Sequence, residues 1–138
     1  MLLIGDVSAQ TGLSVHVLRK YEREGLLLSD VMRDAAGRRL YHEVDVDWLR
    51  NCARFRDSGM PLADIRCYVA LVREGEGNED ARLAILRRHR ERLEDVRAKV
   101  DAALSLTGYK IGLYEEHLAS GGRSAPWAEP ISGRSQSG

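Results

Sequence analysis

From Glu79 to Thr107 the chain contains neither proline nor glycine. A seam of residues recurs along this stretch at spacings of three and four: Leu86, His89, Leu93, Val96, Val100, Ala103 and Thr107. That periodicity belongs to a helix with one narrow stripe, the coiled-coil pattern. At 1.5 Å rise, roughly 29 residues make a helix about 40 Å long. Its outer faces carry Arg87, Arg88, Arg90, Glu91, Arg92, Glu94 and Asp95. Only about 75 residues precede it, too few to bury so long an element, so a second copy of the helix is the natural cover. The seam is therefore the candidate dimerisation set.

The rest of the chain narrows the class. Of 138 residues, 43% are hydrophobic and 30% charged, which suits a folded, soluble chain rather than a disordered one. No apolar run approaches the ~18 residues of a membrane span. The N-terminal MLLIGDVSAQ has no basic start and no cleavage site, so no secretory signal is expected. Cys52 and Cys67 are too few for a disulfide framework, which points to a reducing cytoplasm. Lysine plus arginine (21) balance aspartate plus glutamate (21). A nucleic-acid partner must then be attracted by local clusters, because the net charge supplies no attraction.

Such clusters lie at the N-terminal end. Ile4 to Thr11 carries Ile4 and Val7 at helical spacing and stops at Thr11-Gly12. After Leu13, Ser14 is a good N-cap for a second helix, which ends at Gly25. In that helix Val15 and Leu18 turn inward, while His16, Arg19, Lys20 and Arg23 turn outward. Two short helices joined by a Gly-containing turn make a helix-turn-helix, although the spacing alone fits any αα-hairpin equally well. Next, Leu26-Leu27-Leu28 and Leu40-Tyr41 flank a polar stretch with Asp34-Ala35-Ala36-Gly37, which reads as a β-hairpin with a Gly turn. Its loop holds Arg33, Arg38 and Arg39. Directly after the second helix, such a hairpin is what a DNA-binding wing needs.

A helix over Glu43–Ser58 follows, with Val46, Leu49 and Ala53 on one stripe and Trp48, Cys52 and Phe55 on the next. Pro61 opens another from Leu62 to Arg73, with Leu62, Ile65, Val69 and Val72 inward. The expected organisation is mainly α: a winged helix-turn-helix domain over residues 1–74, a hinge at 75–78 and a dimerisation helix at 79–107. Gly108 should interrupt that helix before a short terminal one at 108–119. The Gly/Ser-rich tail at 120–138 is expected to be disordered, with Trp127 as a residue able to dock.

Several of these segments resemble a known family. Ile4-Gly5-Asp6-Val7, Thr11-Gly12-Leu13-Ser14, Leu18-Arg19-Lys20-Tyr21-Glu22, Glu24-Gly25-Leu26, Gly37-Arg38-Arg39-Leu40-Tyr41 and Gly59-Met60-Pro61-Leu62 with Ile65 are similar, in order, to the start of MerR-type regulators. Each motif is weak alone; their succession at family spacing is specific. The resemblance implies a winged helix-turn-helix with a second helix pair and an antiparallel coiled-coil homodimer. It also implies a transcriptional regulator that sits on a pseudo-palindromic promoter with an overlong spacer. The dimer bends and untwists that DNA so that RNA polymerase can engage. Two departures stand out: Lys20 where the family often has a tyrosine, and Arg38 where its turn usually has one.

On this reading Arg19 and Lys20 contact phosphates or base edges, and Tyr21 offers its hydroxyl to the DNA backbone. Ser14 caps its helix and presents a donor, with His16 beside it. Arg33, Arg38 and Arg39 serve the wing, Arg39 foremost, and Tyr41 mostly packs there. Arg54, Arg56 and Arg66 belong to the second helix pair, where a solvated face explains them equally well. Residues 75–138 contain no cysteine, against the pattern of the family's metal sensors, so neither a metal nor any other cofactor is expected. His89 and His117 are isolated and read as structural.

The chain is most similar to the aldehyde- and electrophile-responsive type through Tyr68, Glu74-Gly75, Ala81-Arg82 to Leu86, Lys110-Ile111 and Tyr114. The usual cysteine of that type lies five residues before the glycine, where this chain has Arg54. Cys52 lies two residues earlier, about 200° around the helix, and is expected to face the core. A small organic effector would be lined by Tyr68, Tyr109, Tyr114 and Trp127. Nothing in the chain matches a nucleophile–base pair, a phosphate-cradling loop or a metal-ligand spacing, so no enzyme is expected. The alternative to a DNA-binding regulator is a dimeric helical adaptor that binds protein.

Overall fold

The computed structural model describes residues 1–122 and Trp127; the expectation of a disordered tail falls, for residues 123–126 and 128–138, outside the described residues. Its elements are β1 (Leu2–Leu3), α1 (Ile4–Thr11), α2 (Val15–Arg23), β2 (Met32–Arg33), β3 (Arg39–Tyr41), α3 (Glu43–Asp57), α4 (Leu62–Glu74) and α5 (Glu79–Ala119). They fall into two compact units, Met1–Arg90 and Glu91–Gly138. The fold is mainly helical, with one small antiparallel sheet in the order β1-β3-β2.

Side chains of the α1–α2 turn hold it shut. Gly12 ends α1 at φ +76°, a left-handed conformation that disfavours any residue with a Cβ. The Thr11 hydroxyl donates to the Val7 carbonyl at 2.7 Å and accepts from the Leu13 N–H at 3.2 Å. The Ser8 hydroxyl donates to the Leu13 carbonyl at 2.7 Å. Ser14 then caps α2 as its sequence position suggests, accepting from the Val17 N–H at 3.1 Å. Beneath this turn, Val7, Leu18, Leu26, Leu49 and Ile65 are fully buried in one core. Val15, expected inward, is only half-buried; Leu18 and Tyr21 point inward instead.

The hairpin differs from expectation at its first arm. Leu26 and Leu27 are core residues, and the strand that pairs with β3 is Met32–Arg33, in register Met32↔Leu40 and Arg33↔Arg39. A strand would turn alternate leucines toward solvent. The chain here buries consecutive ones, and side chains satisfy its backbone. Trp48 Nε1 donates to the Leu26 carbonyl in a short bond, Arg73 Nη1 donates to the Leu27 carbonyl at 3.1 Å, and Asp45 Oδ1 accepts the Leu28 N–H at 2.9 Å. The other edge of β3 pairs with β1, Leu2 opposite Tyr41.

α3 and α4 complete the core through Trp48, whose ring stacks on Tyr68 at 5.4 Å and 19°. The first unit runs to Arg90, beyond the expected boundary at residue 74, because α5 begins as part of it: Ile85 and His89 are buried there. The expected hinge at 75–78 is braced. Asn78 Nδ2 donates to the Leu71 carbonyl at 2.8 Å, and Arg82 Nη2 donates to the Gly75 carbonyl at 2.6 Å.

α5 also corrects the expected break at Gly108: it continues as one helix of 41 residues through Gly108 and Gly112 to Ala119, so there is no separate terminal helix at 108–119. A glycine inside a helix costs only about 1 kcal/mol relative to alanine and, unlike proline, keeps its hydrogen-bond donor.

A candidate nucleic-acid interface on the first unit

α2 divides by face. Ser14, His16 and Arg19 are exposed, Lys20 is half-buried, and Leu18 and Tyr21 point to the core. Tyr21, expected to reach the DNA backbone, is 7% exposed. Burial raises its pKa, and the groups that act on it are Cys52, Arg56 and Asp57 of α3 with Glu24 at the end of α2. Its ring is therefore part of the interior, not of the face that carries His16 and Arg19. Tyr41, expected mostly to pack, is 1% exposed and is a core residue under the wing.

Each wing arginine makes a bond within the protein. The turn is organised by Asp34, whose Oδ1 accepts the N–H groups of Ala36 at 3.0 Å and Arg38 at 2.8 Å. The bond from the Arg38 backbone, chief among its contacts, holds the Asp34 carboxyl below its ordinary pKa. Gly37 closes the turn at φ +79°. Arg33 Nη1 donates to the Gly37 carbonyl at 2.7 Å, and Arg38 Nε pairs with Asp34 Oδ2 at 2.7 Å. Arg39 Nε reaches out of the wing to Glu22 Oε2 on α2 at 2.8 Å. Expected chiefly as a DNA contact, Arg39 thus also ties wing to helix. A guanidinium carries five N–H donors, so these bonds orient the groups without exhausting them.

Arg19, Arg38, Arg39 and Gly37 converge with the start of α1 at Ile4 and Gly5 around a cleft of about 430 Å³. Its charged lining is Arg19, Arg38 and Arg39 with Asp6, and Arg38 and Arg39 each also bond a carboxylate, Asp34 and Glu22. On the other side of Glu22 a second cleft of about 490 Å³ is lined by Gly25, Ser29, Asp30, Arg66 and Arg73. Arg66 Nε donates to the Glu24 carbonyl at 2.8 Å, securing the end of α2, while Arg54 is exposed. Arg50 forks onto the Gln10 carbonyl through Nε at 3.1 Å and Nη2 at 2.6 Å, securing the end of α1.

Sequence reasoning missed Glu22, Asp45, Arg50 and Arg73 as organisers of this surface. Their partners lie 16 to 46 residues away, and no local pattern announces such pairs.

The seam of α5 divides as well. Leu86 is half-buried against the first unit's core and His89 is 4% exposed, so both already pack on their own chain. His89 Nε2 lies 2.8 Å from the Ser58 hydroxyl, and its ring meets the Phe55 ring edge-on at 6.0 Å. From Leu93 onward the stripe is uncovered in the single chain: Leu93, Val96, Val100, Ala103 and Thr107 are all exposed. The proposed effector aromatics are shared out. Tyr68 is engaged by Trp48 in the first unit, while Tyr109, Tyr114 and Trp127 belong to the second, where Lys110 Nζ donates to the Trp127 carbonyl at 3.3 Å.

Cys52 is fully buried, and burial pushes its thiol up to about 11. Cys67 is exposed on α4. Among the described residues, no group of three His, Cys, Asp or Glu side chains could hold a metal, and no helix is long and apolar enough to cross a membrane.

Comparison with known proteins places this geometry. The family of MerR HTH regulatory proteins matches residues 2–71. An uncharacterized HTH-type transcriptional regulator of Haemophilus influenzae is 30% identical over 110 residues, which cover 80% of this chain and 81% of that protein. The HTH-type transcriptional regulator AdhR of Bacillus subtilis is 37% identical over 90 residues, 65% of this chain and 64% of that one. Among solved structures, a MerR family transcriptional regulator from Listeria monocytogenes superposes with a TM-score of 0.81 at 30% identity, covering 88% of this chain and 91% of that one. HiNmlR, a MerR family regulator lacking the sensor domain and bound to promoter DNA, superposes with a TM-score of 0.72 at 28% identity, over 86% and 94% of the two chains.

Proposed function

The chain belongs to the MerR HTH family of regulatory proteins and is a DNA-binding transcriptional regulator, and from that premise we propose how its own residues do the work. α2 enters the major groove with Ser14, His16, Arg19 and Lys20 toward the DNA. The wing lies on the flanking backbone, and a phosphate sits in the cleft of Arg19, Arg38 and Arg39. The observation that carries this reading is the convergence of three arginines from two separate elements on one cleft beside the exposed face of α2. Because the net charge is neutral, attraction to DNA has to come from the local placement of these arginines.

The uncovered stripe from Leu93 to Thr107 supports a homodimer, and a two-fold protein calls for a two-fold operator. The dimer bends and untwists a promoter with an overlong spacer, and RNA polymerase reads the result. The work is done in the cytoplasm, and no enzymatic step belongs to it. The comparisons lend no support to the adaptor alternative. Buried at Cys52, that thiol is poorly placed to sense electrophiles, whereas the thiol of Cys67 is exposed.

The test is binding of the purified protein to its own upstream promoter across a salt series, against Arg19→Ala. Tight binding that falls steeply with salt is expected. In the variant dimer, which loses one phosphate contact per protomer, the log–log slope should shrink by about 1.8. Binding that is absent, or indifferent to both salt and Arg19, would refute the reading.

A further inference from the structure

We propose that Glu22 is a positioning residue that sets the wing against the recognition helix and thereby sharpens discrimination between the operator and other DNA. The proposal rests on the DNA-binding reading above and adds to it a residue that contacts no DNA itself.

Glu22 lies on α2 three residues after Arg19, and its Oε2 accepts from Arg39 Nε, 17 residues further along the chain. The two side chains are 28% and 29% exposed, whereas Arg38 in the wing's internal pair is 63% exposed. Glu22 lines the cleft of Arg66 and Arg73, and Arg39 lines the cleft of Arg19 and Arg38, so their bond forms part of the wall between the two. Directly beneath, the buried Tyr41 hydroxyl has no hydrogen-bond partner among the described residues and feels the charges of Glu22, Arg39 and Arg19 together. Groups from α2 and β3 thus lie close together here, and among the described residues the Arg39–Glu22 bond joins the two elements directly.

A carboxylate on the helix that approaches a polyanion weakens attraction to every DNA alike. What it supplies here is geometry. A guanidinium held through Nε has a fixed plane, and its remaining N–H groups address one phosphate position relative to Arg19. Released, Arg39 remains a cation on a flexible stem, able to meet phosphates in many registers. Losing Glu22 should then help non-specific binding while harming specific binding.

The experiment uses the full chain with Glu22→Ala, Glu22→Gln and Arg39→Lys. Each is measured for affinity to its own upstream promoter and to a scrambled duplex of equal length at one salt concentration, alongside thermal melting. In Glu22→Ala, affinity for the scrambled duplex should hold or rise, while the ratio of specific to non-specific affinity falls about tenfold, the scale of one mismatched base pair. Glu22→Gln keeps an oxygen acceptor and should fall between. Arg39→Lys keeps the charge but loses the fork, and should lower the ratio as Glu22→Ala does. Melting should shift little, because a partly exposed ion pair that water still screens contributes little stability. Equal gains on both duplexes, with the ratio unchanged, would overturn the proposal and leave Glu22 a mere charge. A ratio that falls only in step with melting, without recovery in Glu22→Gln, would overturn it in favour of a fold role. A wild-type protein that does not prefer its promoter over the scrambled duplex would sink the DNA-binding reading first, a result distinct from either of these.

Discussion

Replacing Asp45 by alanine should destabilise the first unit by about 3 kcal/mol, although nothing in its local sequence marks it out. The carboxylate is 1% exposed at the start of α3, with one oxygen on the Leu28 N–H at 2.9 Å and the other on the Ser29 hydroxyl in a short bond. Hydrogen bonds to a charged group contribute about 1.5–3 kcal/mol each, so the pair sets a gross loss of about 3–6 kcal/mol. Two effects reduce it. Ser29 is half-buried and can turn to water, and alanine relieves the desolvation of a buried charge that the N-terminal turn of α3 only partly offsets. The Leu28 N–H has no such escape, which leaves the net near the low end. For a unit of this size 1 kcal/mol moves the midpoint by about 4–8 °C, so the melt should fall by about 12–24 °C. Urea unfolding followed by circular dichroism, with Trp48 fluorescence in a Trp127→Phe background as a local reporter, reads the free energy. Asp45→Asn keeps an oxygen for Leu28 and should lose about 1 kcal/mol; Ser29→Ala should lose less than that. If Asp45→Ala lies within about 0.5 kcal/mol of wild type, or Asn is as damaging as Ala, the reasoning about this carboxylate is wrong.

Three further outcomes can be checked with simple assays. The Cys52 thiol loses its proton near 9 when unfolded and near 11 when folded, so stability should decline as pH rises from 9 to 11, by up to about 2.7 kcal/mol at 1.36 kcal/mol per pKa unit. Urea unfolding at pH 7, 9.5 and 11 should show the decline, and Cys52→Ala should lessen it; burial of Tyr21 and Tyr41 acts in the same direction. At pH 8 a thiol reagent should modify Cys67 at once and Cys52 only on unfolding, and fast modification of both would contradict the burial. In sedimentation, Val96→Lys with Val100→Lys should convert a dimer to a monomer while leaving the Trp48 environment unchanged; a wild-type monomer at tens of micromolar would count against the stripe as an interface.

Much of the DNA-binding half is legible in the sequence because its signals are local. Gly12 and Ser14 punctuate the two helices through backbone conformation and capping, which depend on neighbours within a few residues. Asp34 and Gly37 mark the wing turn for the same reason, and the 3.6-residue period marks α3, α4 and the long helix. The charged face of α2 follows from that period as soon as Leu18 is assigned inward.

What the sequence did not decide is who faces whom across the chain. His89 reads as one more seam position, yet in the fold it meets Ser58 and Phe55 and ends the first unit's core, leaving Leu93 as the first uncovered residue. Gly108 reads as a stop, yet the helix runs on, because stopping a helix takes more than one residue's modest preference. Leu26 to Leu28 read as a strand, yet Trp48, Arg73 and Asp45 take their backbone bonds. By itself the sequence determined helices α1 to α4, the turns at Gly12 and Gly37 and the basic character of the exposed α2 face, all governed by interactions between near neighbours. Only the tertiary structure decided that Arg39 answers Glu22 and that Asp45 anchors the root of the wing, because those bonds join residues brought together by burial of a shared core.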